Sequence, residues 1–142
     1  MDFMTAYKIS SAGLSVQRTR MDIISANLAN ISTTRTAEGG PYKKKHVTVA
    51  EEDVEGPFFD ELMRNALKSV KVDTITEDVN AVKYVYEPGH PDADPDGYVA
   101  MPDINHMMEM AHMLGANRAY QAGVTALDAT KNITMKALEI GK

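Results

Sequence analysis

Apolar residues near the start of the chain recur with a period of seven, which is typical of a coiled-coil helix. A second apolar line with the same period lies on another side of that helix, because it is offset from the first by two residues. The first line is Tyr7, Leu14, Met21 and Leu28 with Ile24 beside it, and the second is Ile9, Val16 and Ile23. One seam needs one partner helix, so the two seams predict at least two partners.

A second long helix is predicted over residues 103–142. Asp103 is a favoured helix N-cap, no proline follows it, and Gly141 stands where a helix should end. Its length as one helix would be about 55 Å, more than a small domain can cover. Its many alanines and glycines let neighbouring helices approach closely. We therefore expect this helix to pack on more than one side.

The middle of the chain changes to short alternating runs, which predict β-strands. The predicted strands are residues 47–49, 68–76, 81–87 and 98–101, the predicted turn is residues 38–41, and a short amphipathic helix is predicted over residues 57–67. The expected fold is mainly α with a small β-rich insertion, in which the terminal helices pair as a coiled coil. Residues 1–36 and 103–142 would form this discontinuous domain, and residues 37–102 the β-rich middle domain.

Charge is concentrated in that middle domain. The terminal segments carry 13 charged side chains in 76 positions, and residues 38–103 carry 22 in 66. Charge-poor helices suit burial in an assembly, because ions are costly to desolvate. The net charge of −5 argues against a nucleic-acid partner. No apolar run is long enough for membrane insertion, and the first residues lack the features of a secretory signal.

Candidate chemistry is sparse. The chain has no cysteine, no phosphate-binding glycine loop and no nucleophile beside a base, so we expect neither catalytic residues nor a cofactor. Glu109 and His112 have the spacing of half a di-iron site, but a second copy is missing. We expect no metal there.

An acidic stretch resembles the start of a calcium loop. Residues 92–97 have the pattern Asp-x-Asp-x-Asp-Gly, and Asp103 stands at the twelfth position of such a loop. However, Pro88 and Pro91 are incompatible with the helix that should precede it. Two interpretations remain, a calcium site and an acidic turn ahead of a helix, and we favour the turn.

Three motifs resemble one known family in the same order. They are Gln17-x-x-Arg20-Met21-Asp22-x-x-Ser25-x-Asn27-Leu28-Ala29-Asn30-x-x-Thr33-Thr34, then Tyr86-Glu87-Pro88-Gly89-His90-Pro91 with its continuation to Pro102, and Arg118-Ala119-Tyr120-Gln121-Ala122. The first resembles the bacterial flagellar rod and hook proteins, and the second resembles basal-body rod members in particular. Asp103 and Gly123 depart from the family, which usually has Asn at both positions.

This resemblance implies a structural subunit of the proximal rod, the hollow shaft that transmits torque across the periplasm. Its partners would be copies of itself, other flagellar rod proteins and the membrane-ring and export-gate junction. It would leave the cell through the flagellar type III export apparatus without a cleaved signal. Two alternatives from the residues stay open: a calcium-dependent interaction module and a soluble coiled-coil adaptor.

Residue roles follow as hypotheses. Asn27 and Asn30 are expected to fasten the end of the first helix by side-chain hydrogen bonds, and the line containing Ile9 is expected to face neighbouring subunits. The predicted intrachain coiled coil comprises Leu14, Met21, Ile24, Leu28, Tyr120, Leu127 and Leu138; the predicted intersubunit residues are Ile9, Val16 and Ile23; the family motif residues are Asn27, Leu28, Ala29, Asn30, Arg118, Ala119, Tyr120 and Gln121.

Overall fold

The computed structural model describes residues 3–54 and 67–140. Its elements are α1 (Phe3–Ala29), β1 (Lys44–Asp53), β2 (Lys68–Asp78), β3 (Val82–Tyr86), β4 (Tyr98–Pro102) and α2 (His106–Ile140). The expectation of a mainly helical chain with a small β-rich insertion is confirmed. The helix predicted over residues 57–67 lies outside the described residues except for Leu67, which directly precedes β2.

The two long helices pack against each other in antiparallel orientation. Asn27, near the end of α1, hydrogen-bonds to Glu109 in the first turn of α2, while Leu14 lies against Gly123 further along α2. The absence of a side chain at Gly123 makes room for Leu14, because a Cβ atom there would lie 2.9 Å from Leu14 Cδ2. Gly123 therefore allows a close apolar contact between the two helices.

The helix α2 is longer than its partner. At about 1.5 Å per residue, α1 is about 40 Å long and α2 about 52 Å. Continuing the register set by the two contacts places Phe3 opposite residues 133–134. Residues 135–140, which we call the α2 overhang, therefore extend beyond the described part of α1.

The predicted start of α2 at Asp103 is wrong by three residues, since the helix begins at His106. The N-cap is Asn105, whose Oδ1 accepts a hydrogen bond from the backbone N–H of Met108 at 3.1 Å. Asp103 is held in extended conformation because its N–H donates to the Ala81 carbonyl at 2.8 Å, at the end of the β3–β4 pair. Asn is as good a cap as Asp, so sequence preference could not distinguish the two positions.

The first helix ends at Ala29, next to the Asn30 that is expected to fasten its end. Asn30 Nδ2 donates to the Ala26 carbonyl at 2.9 Å, and the Thr33 hydroxyl donates to Asn30 Oδ1 at 3.1 Å. The turn at residues 38–41 is also present, with Gly39 and Gly40 at φ values of 89° and 77°. These values lie in the left-handed region that glycine adopts without a steric penalty.

The insertion consists of two separate antiparallel hairpins. In the first hairpin, β1–β2, strand β1 extends well beyond the predicted residues 47–49. The added residues are mostly charged, and they pair with residues of β2. Lys45 lies opposite Glu77 with 3.5 Å between their charged atoms, and Lys71 lies 3.3 Å from Glu52. A register irregularity between Thr48 and Val49 adds a bulge.

The two faces of the second hairpin, β3–β4, differ in exposure. Val99 is buried on one face, and three tyrosines are exposed on the other. Pro102, at the end of the face that carries the tyrosines, and Ile104 beyond it are also buried and lead into α2. In the connecting turn, Asp94 Oδ1 accepts hydrogen bonds from the backbone N–H groups of Asp96 and Tyr98 at 3.0 and 2.8 Å.

The hydrophobic core of the described chain is small. Its buried apolar residues are Val16, Ile24, Val54, Ala81, Val99, Ile104 and Ala116. Many large apolar residues of α2 are exposed instead, among them Met107, Leu114 and Ile133. Within the described residues, neither helix combines the length and the hydropathy that a membrane span requires.

The Leu14–Gly123 contact makes a testable difference between two glycines of α2. A Cβ atom at Gly115 would meet nothing within 4 Å, so Gly115→Ala should stabilise the protein by up to about 1 kcal/mol through helix propensity. Gly123→Ala should stabilise less, or destabilise, because Leu14 must move. Denaturant unfolding would measure both, and in a Leu14→Ala background the two substitutions should become equivalent. Equal effects with Leu14 present would contradict the close contact.

Candidate functional site

A cluster of polar side chains lies where α1, β1 and α2 meet. We call it the polar junction; it comprises Asn27, Tyr42, Lys44, Lys45 and Glu109. Asn27 and Glu109 are the most enclosed of these, with 1% and 2% of their surfaces exposed. Buried polar groups are costly unless they are hydrogen-bonded, so their partners determine how the three elements fit together.

Asn27 makes as many hydrogen bonds as its side-chain amide allows. Its Nδ2 donates to the Lys45 carbonyl at 2.9 Å and to Glu109 Oε2 at 3.3 Å. Its Oδ1 accepts from the Lys45 backbone N–H at 2.9 Å and from the Tyr42 hydroxyl at 3.0 Å. One side chain thus links the end of α1 to the start of β1 and to the first turn of α2. The expected fastening role of Asn27 is present, together with two partners that the sequence did not indicate.

Glu109 supplies the charge of the junction. Lys44 Nζ lies 2.9 Å from Glu109 Oε1, and His112 Nδ1 lies 3.6 Å from the same oxygen. Burial acts to raise the pKa of Glu109, but the hydrogen bonds from Lys44 and Asn27 and the charge of Lys44 act against it, and the net pKa is below the usual value. Glu109 is therefore ionised at neutral pH and holds the Lys44 ammonium group against α2.

Tyr42 completes the junction as a neutral donor. Its burial, and after that the negative charges of Glu77 and Glu109, raise the pKa of the phenol. The hydroxyl therefore stays protonated at neutral pH and donates a hydrogen bond to Asn27 Oδ1.

A groove of about 390 Å³ runs beside the junction, between α1, α2 and β1. Arg20 and Ile23 of α1 form one wall, and His112 and Gly115 of α2 form another. We call it the Arg20 groove. Small and apolar residues, among them Ile24, Ala111 and Ala116, line it together with the polar junction, and Arg20 adds a guanidinium group that has no ion pair among the described residues.

The residues predicted for the intrachain coiled coil differ in how far they are buried. Ile24 is buried and Leu14 contacts Gly123. Four others are partly covered: Met21, Leu28, Tyr120 and Leu127. Leu138 is 69% exposed and lies in the α2 overhang. Their assignment to one coiled coil stays a prediction.

The residues predicted to face neighbouring subunits also differ in exposure. Val16 is only 5% exposed, so the chain's own residues cover it. Ile9 and Ile23 are partly exposed, and Ile23 lines the Arg20 groove. Of the motif residues on α2, Arg118, Ala119 and Gln121 are all exposed. Packing within the described chain gives these three residues no role.

Sequence reasoning missed the central parts of the junction. The sequence pattern suggests only half a metal site for Glu109 and no role for Lys44. The available signal was a single carboxylate in the apolar first turns of α2. The acidic loop has another use for its side chains: Asp92 accepts a hydrogen bond from Thr34 at 2.8 Å, and Asp94 holds its own turn. Across residues 3–54 and 67–140, no three or more His, Asp or Glu side chains form a cluster that could hold a metal ion.

Paired terminal helices with exposed apolar surfaces, joined by a polar junction to a β-rich insertion, define a subunit of a larger structural assembly. Comparison with known proteins agrees with this class. The family model for "Flagella basal body rod protein" matches residues 8–35. The chain is 41% identical to the flagellar basal-body rod protein FlgC of Bacillus subtilis, over 98% of this chain and 100% of that protein.

Further relatives give the same result. The identity is 37% to FlgC of Borreliella burgdorferi, over 99% of this chain and 98% of that protein, and 32% to FlgC of Salmonella typhimurium over the whole of both. The chain belongs to the FlgC family of flagellar basal-body rod proteins. It is a structural subunit of the rod in the flagellar basal body, as the resemblance of its motifs implied.

The charge of the junction can be tested with Glu109→Gln, which keeps the shape of the side chain but leaves Lys44 without its counter-charge. We expect the free energy of unfolding to fall by about 1–3 kcal/mol at neutral pH. The lowered pKa means that the stabilisation by Glu109 is fully present above its unfolded-state pKa and is lost as the pH falls through its folded-state pKa. The difference between the two proteins should therefore shrink in acid.

Denaturant titrations at several pH values would measure this difference. Glu139→Gln is the matched control, because Glu139 is exposed on the same helix and should have little effect. A difference for Glu109→Gln that stays constant from neutral to strongly acidic pH would contradict the role of the ionised carboxylate.

Proposed function

We propose that this protein forms part of the proximal rod, where its copies assemble with related rod proteins into a hollow shaft that transmits torque. The observation that carries this proposal is the α2 overhang, in which large apolar side chains project beyond the partner helix. Met135 and Leu138 are three residues apart on one face of the helix and are 53% and 69% exposed. Contiguous exposed apolar surface of this kind marks an interaction site.

The overhang gives the assembly a direction. The surface of Leu138 lies at one end of the helix pair, and α1 of the same chain does not reach it in the described residues. We propose that a neighbour covers it with a different surface, in a head-to-tail contact. A head-to-tail contact that does not close into a ring generates an open filament, which is the form of a rod.

Lateral contacts would use the remaining helix surface. Ile9 and Ile23 keep part of their surfaces exposed on the second apolar line, while Val16 between them is covered within the chain. The motif residues Arg118 and Gln121 are exposed on α2 and would also meet neighbours. In this arrangement the helix pairs form the inner layer of a tube as coiled coils, and the β-rich insertion lies outside.

The remaining partners follow from the place of such a subunit in the flagellum. The proximal rod joins the membrane ring and the export gate, so these would be neighbours together with other rod proteins. The subunit would reach the periplasm through the flagellar type III export apparatus without a cleaved signal. The described acidic loop gives the calcium-dependent alternative no support, since Asp92 and Asp94 are engaged in hydrogen bonds within the chain.

The overhang is tested with Leu138→Asp in cells that carry the variant as their single copy of the gene. A charge on this exposed apolar surface should block contact with the neighbour while leaving the chain folded. We expect loss of motility in soft agar and no complete rods in isolated basal bodies viewed by electron microscopy, with normal circular dichroism of the purified variant.

Val79→Asp is the matched control, because Val79 is 66% exposed but lies in the turn after β2. It should assemble normally. Normal rods and motility with Leu138→Asp would overturn the head-to-tail role of the overhang. A small closed oligomer of the purified protein, with no dependence on Leu138, would instead support the soluble adaptor.

A further inference from the structure

Three tyrosines form one exposed face of the β3–β4 hairpin. Tyr84 and Tyr86 alternate along β3 and therefore point to the same side, and Tyr98 lies directly opposite Tyr86 on β4. Their exposed fractions are 71%, 64% and 45%. We call this surface the tyrosine face. Aromatic side chains concentrated on an exposed surface are typical of a protein interface.

The tyrosine face is held in place before any partner binds. The rings of Tyr86 and Tyr98 meet edge to face, with their centroids 5.4 Å apart. Gly97 has a φ of 83°, and a Cβ atom there would lie 2.9 Å from Tyr86 Cε2, so the Tyr86 ring lies directly over the turn. A partner therefore meets an ordered surface and loses little conformational freedom in binding it.

The surroundings of this face are acidic. Residues 81–105 carry one lysine and five carboxylates, a net charge of −4 with histidine neutral. Glu87 and Asp96 lie within two residues of Tyr86 and Tyr98 in the sequence, are exposed, and form no ion pair among the described residues. Asp92 forms an ion pair with Arg35, with 3.9 Å between their charged atoms. The chemistry that complements this surface is a cation that can also stack on an aromatic ring, which is what arginine provides.

The Arg20 groove has the complementary character. Helix α1 carries three basic residues and one acidic residue over Phe3–Ala29, a net charge of +2. Arg20 is exposed at the edge of the groove, and the apolar side chain of Ile23 lies on the same wall. A groove that combines apolar side chains with basic ones fits an aromatic surface with acidic neighbours.

We propose that the tyrosine face of one copy, with Glu87 and Asp96 beside it, docks into the Arg20 groove of a second copy. The two surfaces do not meet within one chain, because no tyrosine lines the groove and the tyrosine face is exposed. They are different surfaces, so the contact is head-to-tail and can repeat along a series of copies. This inference rests on the proposed self-assembly and names one lateral contact of it, distinct from the α2 overhang.

Charge reversal tests the pairing in cells. Arg20→Glu alone, or Glu87→Lys with Asp96→Lys, should each lower the number of rods per cell by at least about tenfold, because an interfacial charge loses its partner. Combining all three changes restores opposite charges and should recover most of the rods. Asp94 is left unchanged because its carboxylate holds the turn.

Arg18→Glu is the matched control, since Arg18 is exposed on the same helix but does not line the groove. It should leave rod number near the wild-type value. Normal rods with Arg20→Glu, or no recovery in the combined variant, would overturn this contact. If the charge reversals leave the rods normal but Leu138→Asp still blocks rod assembly, the proposed function stands and only this contact is wrong. If neither set of changes affects rod assembly, both proposals are wrong.

Photo-crosslinking supplies a direct measurement of proximity. p-Benzoylphenylalanine in place of Tyr84 keeps an aromatic side chain on the face, and irradiation of isolated rods should join it to a second copy. Mass spectrometry should locate the attachment within residues 20–27, 44–47 or 111–116. Attachment elsewhere on the second copy, or to a different rod protein alone, would overturn the proposal.

Discussion

The saturated side-chain amide of Asn27 is the constraint on which the arrangement of this protein depends. Both amide atoms are enclosed, so every donor and acceptor that lacks a protein partner would lose the water that it binds in the unfolded chain. The backbone N–H and carbonyl of Lys45 satisfy one donor and one acceptor at 2.9 Å each, a two-point contact that admits a single position of β1. Glu109 takes the other donor across 82 positions of sequence. The end of α1, the first hairpin and the start of α2 are therefore positioned together.

A junction built from polar groups serves a chain with little apolar core. Apolar contacts between smooth helices tolerate sliding, whereas hydrogen bonds and a charge pair are lost with a small displacement. The ionised Glu109 and Lys44 add direction to the contact, although such a pair contributes little net stability after desolvation. What it contributes is the orientation of the insertion relative to the helix pair. In a shaft made of repeated subunits, that orientation decides which outer surface meets which neighbour.

The parts of the structure that were predictable from the sequence are those governed by local periodicity. The seven-residue lines predicted the helix α1, and the turn at residues 38–41 and both strands of the second hairpin followed from local preferences. The failures occurred where distant residues decide the outcome. The length of β1 depends on cross-strand pairs such as Lys45 with Glu77, and the start of α2 depends on the bond from Asp103 to Ala81. Glu109 was missed for the same reason, because its partners Asn27 and Lys44 come from elements far away in the sequence.

The exposed residues complete the argument from the core to the assembly. The chain buries few large side chains and leaves Leu138, Ile140 and three tyrosines on its surface. A single copy therefore does not bury all of its large apolar side chains. The opposite charges of α1 and the second hairpin are also separated within one chain, which leaves each without compensation there. A regular array of copies can bury the exposed apolar side chains and pair the opposite charges. In such an array, the apolar overhang or the acidic face of one subunit meets a different surface of the next. The polar junction makes this possible, because only subunits of fixed internal geometry can repeat the same contact along a rod.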